Sequence, residues 1–279
     1  MGPGTHSFLA ASYEHKLDDL NLRVIEMAWP SAAIRAMQND VVDGTILSLS
    51  EAVRVQADGY KIVIAGALGI SSGADAVMSL KVNSMAELRG KRVGIEPRSC
   101  ANYVLALGLH KVGLTLADVK LVEMNLPETV DALLSGEVDA VATAEPFRTL
   151  IEQSKGHCLF DSSELGSDIV RVLVTSEKSF EERHTQWARV AVERDASLPE
   201  QQPSLLEALA RREKLTPESL MATRRHQQPL KLSGPDRMTE EQLSELLKKT
   251  AAAMVETGQI DPIDDLPKIH LIDQREAIR

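Results

Sequence analysis

The sequence predicts an α/β fold with a mainly helical C-terminal segment, and three observations support this class. Short β-rich runs alternate with helix-like patterns through the first two-thirds of the chain, and from Lys178 onward helical patterns dominate. The 279 residues are 43% hydrophobic but only 3% aromatic, so the core must be built from Leu, Val, Ile, Ala and Met. This length suits two lobes or one large α/β unit.

Strand-like runs are short, apolar and bounded by turn-forming residues. Their alternation with helices predicts parallel sheets connected by crossover helices. The predicted strands are Leu22–Met27, Gly44–Leu47, Ile62–Ala67, Arg92–Glu96, Val119–Glu123, Ala140–Thr143 and Ile169–Thr175.

Helical patterns fill the intervals between these strands and most of the C-terminal third. Thr216 and Thr239 are the expected N-caps of two of these helices, because each precedes a first turn that contains an acidic residue. The predicted helices are Ser31–Gln38, Ser50–Ala57, Ser84–Leu88, Cys100–Lys111, Leu126–Ser135, Pro146–Gln153, Phe180–Ala196, Ser204–Arg212, Pro217–Arg225 and Thr239–Thr257.

Composition and motifs exclude several function classes. The formal net charge of −10 argues against nucleic acid or an anionic membrane as the main partner, although a local pocket can still bind an anion. Cys100 and Cys158 form neither a disulfide framework nor a metal-ligand spacing. The sequence contains no nucleophile elbow, phosphate-binding P-loop, zinc-protease motif or dinucleotide fingerprint. We therefore expect no cofactor and no metal. The N-terminus lacks the basic and apolar regions of a signal peptide.

One helix–turn–strand unit occurs twice. Residues Ala33–Gly44 and Val130–Ala140 each contain a helical pattern, a polar turn, a Val-Asp pair and the start of a buried strand. A repeated unit about one half-domain apart suggests two lobes of similar construction, although such units also recur in α/β proteins generally.

Five phrases in order resemble the nitrate/sulfonate/taurine-type substrate-binding proteins of ABC importers, which are type II-like periplasmic binding proteins. Gly136–Phe147, Gly-Glu-Val-Asp-Ala-Val-Ala-Thr-Ala-Glu-Pro-Phe, is similar to that family's Gly-x-Val-Asp-Ala-Val-x-Thr-x-Glu-Pro. The other phrases are Ala33–Gly44, Ser71–Ala76, Leu88–Glu96, and Leu159–Ser163 together with Asp168–Val170.

The resemblance implies a two-lobed α/β fold with two parallel-rich sheets, flanking helices and a C-terminal helical segment. Lobe one is expected at residues 1–72 plus 173–279, lobe two at 73–172, and the ligand in the cleft between them. It also implies a periplasmic or extracytoplasmic monomer that delivers a small molecule to an ABC permease in the membrane. One departure is clear: the family opens with a strand before a turn, whereas this chain begins at that turn, Gly2–His6.

Strand-to-helix loops are the expected ligand contacts, because in parallel sheets they point into the crevice beyond the strand ends. Ser99, Cys100 and Ala101 open a helix, where free N–H groups and the helix dipole favour an anion. The alternative for Ser99 is plain N-capping, and for Arg98 a solvated charge. Ser48 occupies the matching position after Gly44–Leu47, and Ser50 is there more readily explained as a cap.

The remaining candidates follow other strands or the predicted turn. Thr143 and Glu145 lie at the end of a strand. Glu145 is expected to accept a hydrogen bond from a ligand donor, or alternatively to stabilise the N-terminus of the following helix. Thr5 and His6 lie on the turn that the family directs toward its ligand. Ser72 lies in Ser71–Asp75, an expected crossing between lobes with Gly73 as its hinge. Asp75 is expected to brace backbone N–H groups, and Asp168 either does the same or meets the ligand.

Other polar and aromatic residues receive structural interpretations. Cys100 at a helix N-terminus should have a lowered thiol pKa, but no base for a cysteine nucleophile is visible. Trp29 and Trp187 are interpreted as packing residues. Four histidines and the basic pairs on the C-terminal helices are interpreted as surface groups: His157, His184, His226, His270, Arg211-Arg212 and Arg224-Arg225.

The leading hypothesis is a binding protein that closes around its ligand, with no catalytic residue. The second is an enzyme of vitamin or quinone precursor synthesis on the same fold, with Glu145, His6 or Cys100 as acid or base. The third is a ligand-sensing domain.

Overall fold

The computed structural model describes residues 3–20, 22–27, 30–166, 169–197, 203–212, 215–273 and 275, with only the backbone described for residues 3–6. The described strands are β1 Gly44–Ser48, β2 Ile62–Ser71, β3 Asp75–Ser79, β4 Arg92–Ile95, β5 Lys120–Glu123, β6 Ala140–Ala144, β7 His157–Asp161, β8 Val170–Ser176, β9 Gln227–Pro229 and β10 Lys268–Ile269. The described helices are α1 Pro3–Tyr13, α2 Pro30–Gln38, α3 Leu49–Ala57, α4 Cys100–Lys111, α5 Thr129–Ser135, α6 Phe147–Gln153, α7 Glu177–Asp195, α8 Pro203–Arg212, α9 Pro217–Arg224 and α10 Glu240–Glu256.

The strands form two sheets, each flanked by helices. The first sheet has the order β1-β8-β2-β10, with β9 also paired to β2, and the second has the order β5-β4-β6-β3-β7. Helices α1 and α7 pack together on the first sheet, and α4 packs on β3 and β6 of the second. The predicted two-sheet α/β class is confirmed.

Both sheets are mixed, because each receives one strand that crosses from the other. The chain leaves the end of β2 and enters the second sheet as β3, which runs antiparallel to β6. It returns as β8, which runs antiparallel to β1 and β2. Strands β4, β5 and β6 pair in parallel, as the sequence predicts. Each crossing strand begins beside the ends of the strands that it pairs with, so it pairs with them in the antiparallel direction.

This pairing brings distant residues to one seam between the sheets. Ser48, the last residue of β1, is opposite Arg171 near the start of β8. Asp75, the first residue of β3, is opposite Ala144 at the end of β6. The ends of β1 and β6 and the starts of β3 and β8 therefore meet at the seam. The exact lobe boundaries given above stay a prediction.

Two sequence predictions about elements are wrong. Leu22–Met27 is not a strand, although it is rich in apolar residues; no strand pairs with it in the described part of the chain. The turn predicted over Gly2–His6 is instead the start of α1 from Pro3, whose fixed φ suits a first helical turn. The structure also contains β3 and β7, which the sequence did not predict.

The core is continuous across the seam. One buried cluster includes Leu47 of the first sheet and Val77, Val93 and Leu105 of the second sheet and α4. On the far side of the first sheet, Trp187 packs with a second cluster, which confirms its structural interpretation. No helix in the described ranges has both the length and the apolar character that crossing a membrane requires.

Candidate functional site

A cavity of about 280 Å³ opens at the seam between the two sheets. One wall is α2, with Ser31, Ile34 and Arg35 among its residues, and the other is the β4–α4 loop, Pro97–Ser99. Asp58, just after α3, completes the rim and forms an ion pair with Arg98. In the predicted division of the chain, α2 belongs to lobe one and the β4–α4 loop to lobe two, and the ligand cleft between the lobes stays a prediction.

Ser99 is both the N-cap of α4 and a wall of this cavity. Its hydroxyl accepts a hydrogen bond from the N–H of Asn102 at 3.2 Å and donates one to the carbonyl of Glu96 at 2.8 Å. The capping alternative is thus confirmed for Ser99, and its position also leaves it next to the cavity. Arg98 is not simply a solvated charge, because it pairs with Asp58.

Ser48 caps α3 through a reciprocal capping box. The Ser48 hydroxyl accepts from the N–H of Glu51, while the Glu51 carboxylate accepts from the N–H and hydroxyl of Ser48 at 2.7 and 2.9 Å. Ser50 is not the cap; its hydroxyl lies 3.0 Å from that of Ser48. Ser48 and Glu51 are both almost fully buried, so Ser48 is a structural element of the seam.

Glu51 also connects the two sides of the seam. Its Oε1 accepts a hydrogen bond from the N–H of Cys100 at 3.1 Å, at the first residue of α4. Its Oε2 lies 3.7 Å from Nη1 of Arg171. One buried carboxylate therefore accepts hydrogen bonds at the N-termini of two helices. Helix α3 follows β1 of the first sheet, and α4 follows β4 of the second.

Arg171 and Asp75 form the central ion pair of the seam. Nη2 of Arg171 donates to both carboxylate oxygens of Asp75, at 2.8 and 3.0 Å. Burial disfavours the charged guanidinium, but the charges of Asp75 and Glu51 outweigh that effect and raise the pKa of Arg171. Asp75 also accepts from the Ser71 hydroxyl at 2.8 Å. The expectation that Asp75 braces backbone N–H groups is therefore wrong; it braces side chains.

Glu145 follows β6 and is also buried, and its N–H donates to the carbonyl of Ala74, next to Asp75, at 2.9 Å. Its carboxylate accepts from the N–H and hydroxyl of Thr149 in the first turn of α6, at 3.2 and 3.0 Å. Its Oε1 forms a 2.7 Å hydrogen bond with Nδ1 of His226. Glu145 thus serves the helix N-terminus, as one alternative predicted, and also orients a histidine.

The other predicted ligand contacts take structural positions. Thr143 is fully buried, with its hydroxyl 3.0 Å from that of Thr129. Ala101 is buried in α4, and the N–H of Ser72 donates to the carbonyl of His226 at 2.8 Å. The side chains of Thr5 and His6 lie outside the described residues, as do Asp168 and Trp29.

Cys100 differs from its prediction. A thiol at a helix N-terminus is expected to have a lowered pKa, but burial and the nearby charge of Asp75 raise the pKa of Cys100 well above its usual value. The pKa of the half-buried Cys158 is also raised, to about 12, mainly by burial. Neither thiol is poised as a nucleophile.

Sequence reasoning missed several residues of the seam. The sequence pattern does not single out Glu51 or Arg171, and it identifies Glu96 only as the end of a strand. His226 and His157 are half-buried and hydrogen-bonded, so their assignment to the surface is wrong. Arg224 is also half-buried; burial, with a smaller effect of Arg194, lowers its pKa to about 10. A histidine in sequence gives no sign of a carboxylate partner 81 residues away.

Glu96 combines deep burial with incomplete hydrogen bonding. It follows β4, and its Oε1 accepts from the N–H of Ser31 in the first turn of α2 at 3.3 Å. Its Oε2 is buried and accepts no hydrogen bond from the described residues. Burial raises the pKa of Glu96, hydrogen bonds from the side chain and backbone of Ser31 and from the backbone of Leu126 lower it in part, and the nearby Glu51 charge raises it further.

Among the described residues, no group of three or more His, Cys, Asp or Glu side chains is arranged to hold a metal ion. The seam contains a small cavity between the starts of α2 and α4, and buried carboxylates lie close to it.

Comparisons with known proteins agree with this architecture. A family model described as NMT1/THI5 like matches residues 15–193, well over half of the chain. A Haemophilus influenzae protein provisionally named a thiamine biosynthesis protein is 28% identical over 195 residues, which is 67% of this chain and 62% of that protein. The chain therefore spans less than two thirds of the length of this relative.

Two solved structures have the same fold. The alkanesulfonate-binding protein SsuA of Xanthomonas axonopodis pv. citri, bound to MOPS, superposes with a TM-score of 0.83 at 17% identity, over 97% of this chain and 96% of that one. The periplasmic aliphatic sulphonate-binding protein SsuA of Escherichia coli gives a TM-score of 0.75 at 16% identity, over 93% of this chain and 91% of that one. Identities this low establish the shared two-lobed fold alone.

Proposed function

Because the chain belongs to the NMT1/THI5-like family, we propose that it is a solute-binding protein that captures a small polar or anionic organic molecule between its lobes. The cavity at the seam carries this proposal, because α2 forms one wall and the β4–α4 loop forms the other. A ligand that contacts both sides would favour the closed arrangement over an open one, and that difference in affinity would drive hinge closure.

The walls of the cavity suit a small ligand with acceptor groups at one end. Ser31 and Ser99 stand at the starts of α2 and α4, whose helix dipoles favour negative charge, and Glu96 and Glu51 already accept from the N–H groups of Ser31 and Cys100 there. Arg35 contributes a cationic side chain to the same wall. The cavity volume of about 280 Å³ is slightly below the range of typical ligand pockets. The ligand must therefore be a small molecule.

The proposed partner is an ABC permease in the membrane, and the proposed location is periplasmic or extracytoplasmic. Both follow from the fold shared with SsuA proteins, one of which is described as periplasmic. In this account, the closed, ligand-bound form is the one that the permease recognises, and the protein acts as a monomer.

An enzyme of vitamin precursor synthesis is the second candidate. The observation that favours it is the pair of His226 and Glu145, in which a buried carboxylate orients a half-exposed imidazole at 2.7 Å. Such a pair is a common general base. The provisional name of the Haemophilus influenzae relative, a thiamine biosynthesis protein, points in the same direction.

A thermal-shift screen with recovery of the compound separates the two candidates. The panel contains nitrate, alkyl sulfonates, taurine, pyrimidines, small carboxylates and small amines. A binder of the folded state stabilises it by about 2.7 kcal/mol at a hundredfold excess over Kd. One saturable hit recovered unchanged supports a binding protein. Conversion of the hit by wild type, and its loss in a His226→Ala variant, would establish the enzyme instead.

A further inference from the structure

We propose that Arg98 determines the ligand class: its guanidinium binds an oxyanion group of the ligand, and Asp58 occupies that position until the ligand replaces it. This inference rests on the proposed binding function and narrows the ligand to a small organic anion. Asp58 is then an internal competitor of the ligand, and its removal should tighten the binding of anions.

The lining of the cavity carries net positive charge although the whole chain is acidic. Among the described residues that line it, the charged ones are Arg35, Arg98 and Asp58, which are two guanidinium groups and one carboxylate. The formal net charge of the chain is −10. A guanidinium presents a planar fork of N–H donors that matches two oxygens of an oxyanion. The lining therefore has one more guanidinium than its own carboxylate neutralises.

Arg98 has a backbone conformation that is disfavoured for its residue type. Its φ is +68°, in the left-handed region where a Cβ atom is crowded and glycine is the usual residue. The residue lies in the β4–α4 loop and lines the cavity. Strained residues persist where the surrounding structure holds them, and they cluster at ligand sites. The conformation therefore favours a functional role for the Arg98 side chain.

The ion pair of Arg98 and Asp58 is exposed enough to exchange partners. The two side chains are 50% and 34% exposed, and ion pairs in such surroundings add little to stability because water competes for both groups. Asp58 also follows Arg54 by one helical turn, and its N–H donates to the Arg54 carbonyl at 3.0 Å. Burial and the charge of Arg98 lower the pKa of Arg54, whereas the charge of Asp58 partly opposes them. A ligand that takes Arg98 therefore leaves Asp58 beside a second guanidinium.

The test measures binding of matched compounds that differ mainly in charge. The first pair is ethanesulfonate and ethyl methyl sulfone, and the second is propionate and propionamide. Isothermal titration is run with wild type, Arg98→Gln and Asp58→Asn at low ionic strength, because salt screens exposed charges. Arg189→Gln and Asp19→Asn are the matched controls, since both residues are exposed and neither lines the cavity.

We expect wild type to prefer the anion of at least one pair. Arg98→Gln should bind that anion about tenfold to a hundredfold more weakly, the range for hydrogen bonds to a charged group. Asp58→Asn should bind it about fivefold more tightly, because an exposed competing ion pair is lost. Both controls should match wild type. Arg98→Gly should fold normally and bind the anion as weakly as Arg98→Gln, because glycine adopts the left-handed conformation without steric cost.

Anion binding that is unchanged in Arg98→Gln and Arg98→Gly, or that does not tighten in Asp58→Asn, would overturn this inference. Failure of both anions to bind either wild type or Asp58→Asn would also overturn it. In each of these cases, a saturable pyrimidine or amine hit in the thermal-shift screen would leave the proposed binding function standing. The absence of any hit in that screen would contradict the binding function itself.

Discussion

Nδ1 of His226 lies 2.7 Å from Oε1 of Glu145 and joins the segment after α9 to the β6–α6 turn. The Glu145 side chain is 1% exposed, so this imidazole is one of the few donors available to it. Together with the pair of Arg98 and Asp58, it holds the two sides of the seam together at separate places.

A double-mutant cycle should detect this contact. Glu145→Gln and His226→Ala, singly and combined, are compared by urea unfolding at neutral pH. The expected coupling is about 1 kcal/mol, because one partner is charged and buried while the other is half-exposed. A coupling below about 0.3 kcal/mol would show that the two groups act independently.

Ser99→Ala should affect both stability and ligand binding. Loss of the N-cap should lower the free energy of unfolding by about 1 kcal/mol. Thr239→Ala is the matched control, because Thr239 caps α10 with the same 3.2 Å geometry and is exposed. Calorimetry on the two variants should show equal stability losses but weaker ligand binding only for Ser99→Ala. Equal binding in both would assign Ser99 a purely structural role.

Arg171→Gln should be strongly destabilising. The change leaves the buried carboxylates of Asp75 and Glu51 without their cation, for which about 3–5 kcal/mol is expected. Arg189→Gln, at an exposed position of α7, serves as the control and should change stability by no more than about 0.5 kcal/mol. Similar effects of both substitutions in denaturant unfolding would contradict the importance of the buried pair.

Cys100 should resist alkylation in the native protein. Burial raises its pKa, and each unit by which the pKa exceeds the solution pH lowers the thiolate fraction about tenfold. In a Cys158→Ala variant, iodoacetamide labelling at pH 8 should be at least about tenfold slower in buffer than in urea. Rapid labelling of the native form would indicate that the seam opens readily, and a ligand that closes it should then slow the reaction.

The sequence predicts β1, β6 and β8 among the strands that meet at the seam, but it misses β3, whose place depends on pairing with distant strands. β1, β4 and β6 are recognisable because each is a short apolar run that ends in a helix start. β3 begins only four residues after β2 ends, so its segment was interpreted as a crossing alone. Leu22–Met27 has a strand pattern but no neighbouring strand in the described chain, and a pattern cannot supply hydrogen-bond partners.

The site was predictable to the extent that it is local. The N-caps Ser99 and Thr239 follow from residue type and position alone. The burial of Glu51 and its bond to Cys100, 49 residues away, depend on how the sheets come together. The raised pKa of Cys100 has the same origin, because the helix N-terminus is local whereas burial is not.

The most direct test of ligand capture at the seam is to block the cavity. Gln38 lines it and is half-buried, so Gln38→Trp should fill it without disturbing the core. Gln153→Trp, on an exposed position of α6, adds the same side chain elsewhere. With the best compound from the screen, titration calorimetry should show one site in wild type and in Gln153→Trp, and lost binding in Gln38→Trp. Unchanged affinity in Gln38→Trp would place the ligand elsewhere and contradict the account.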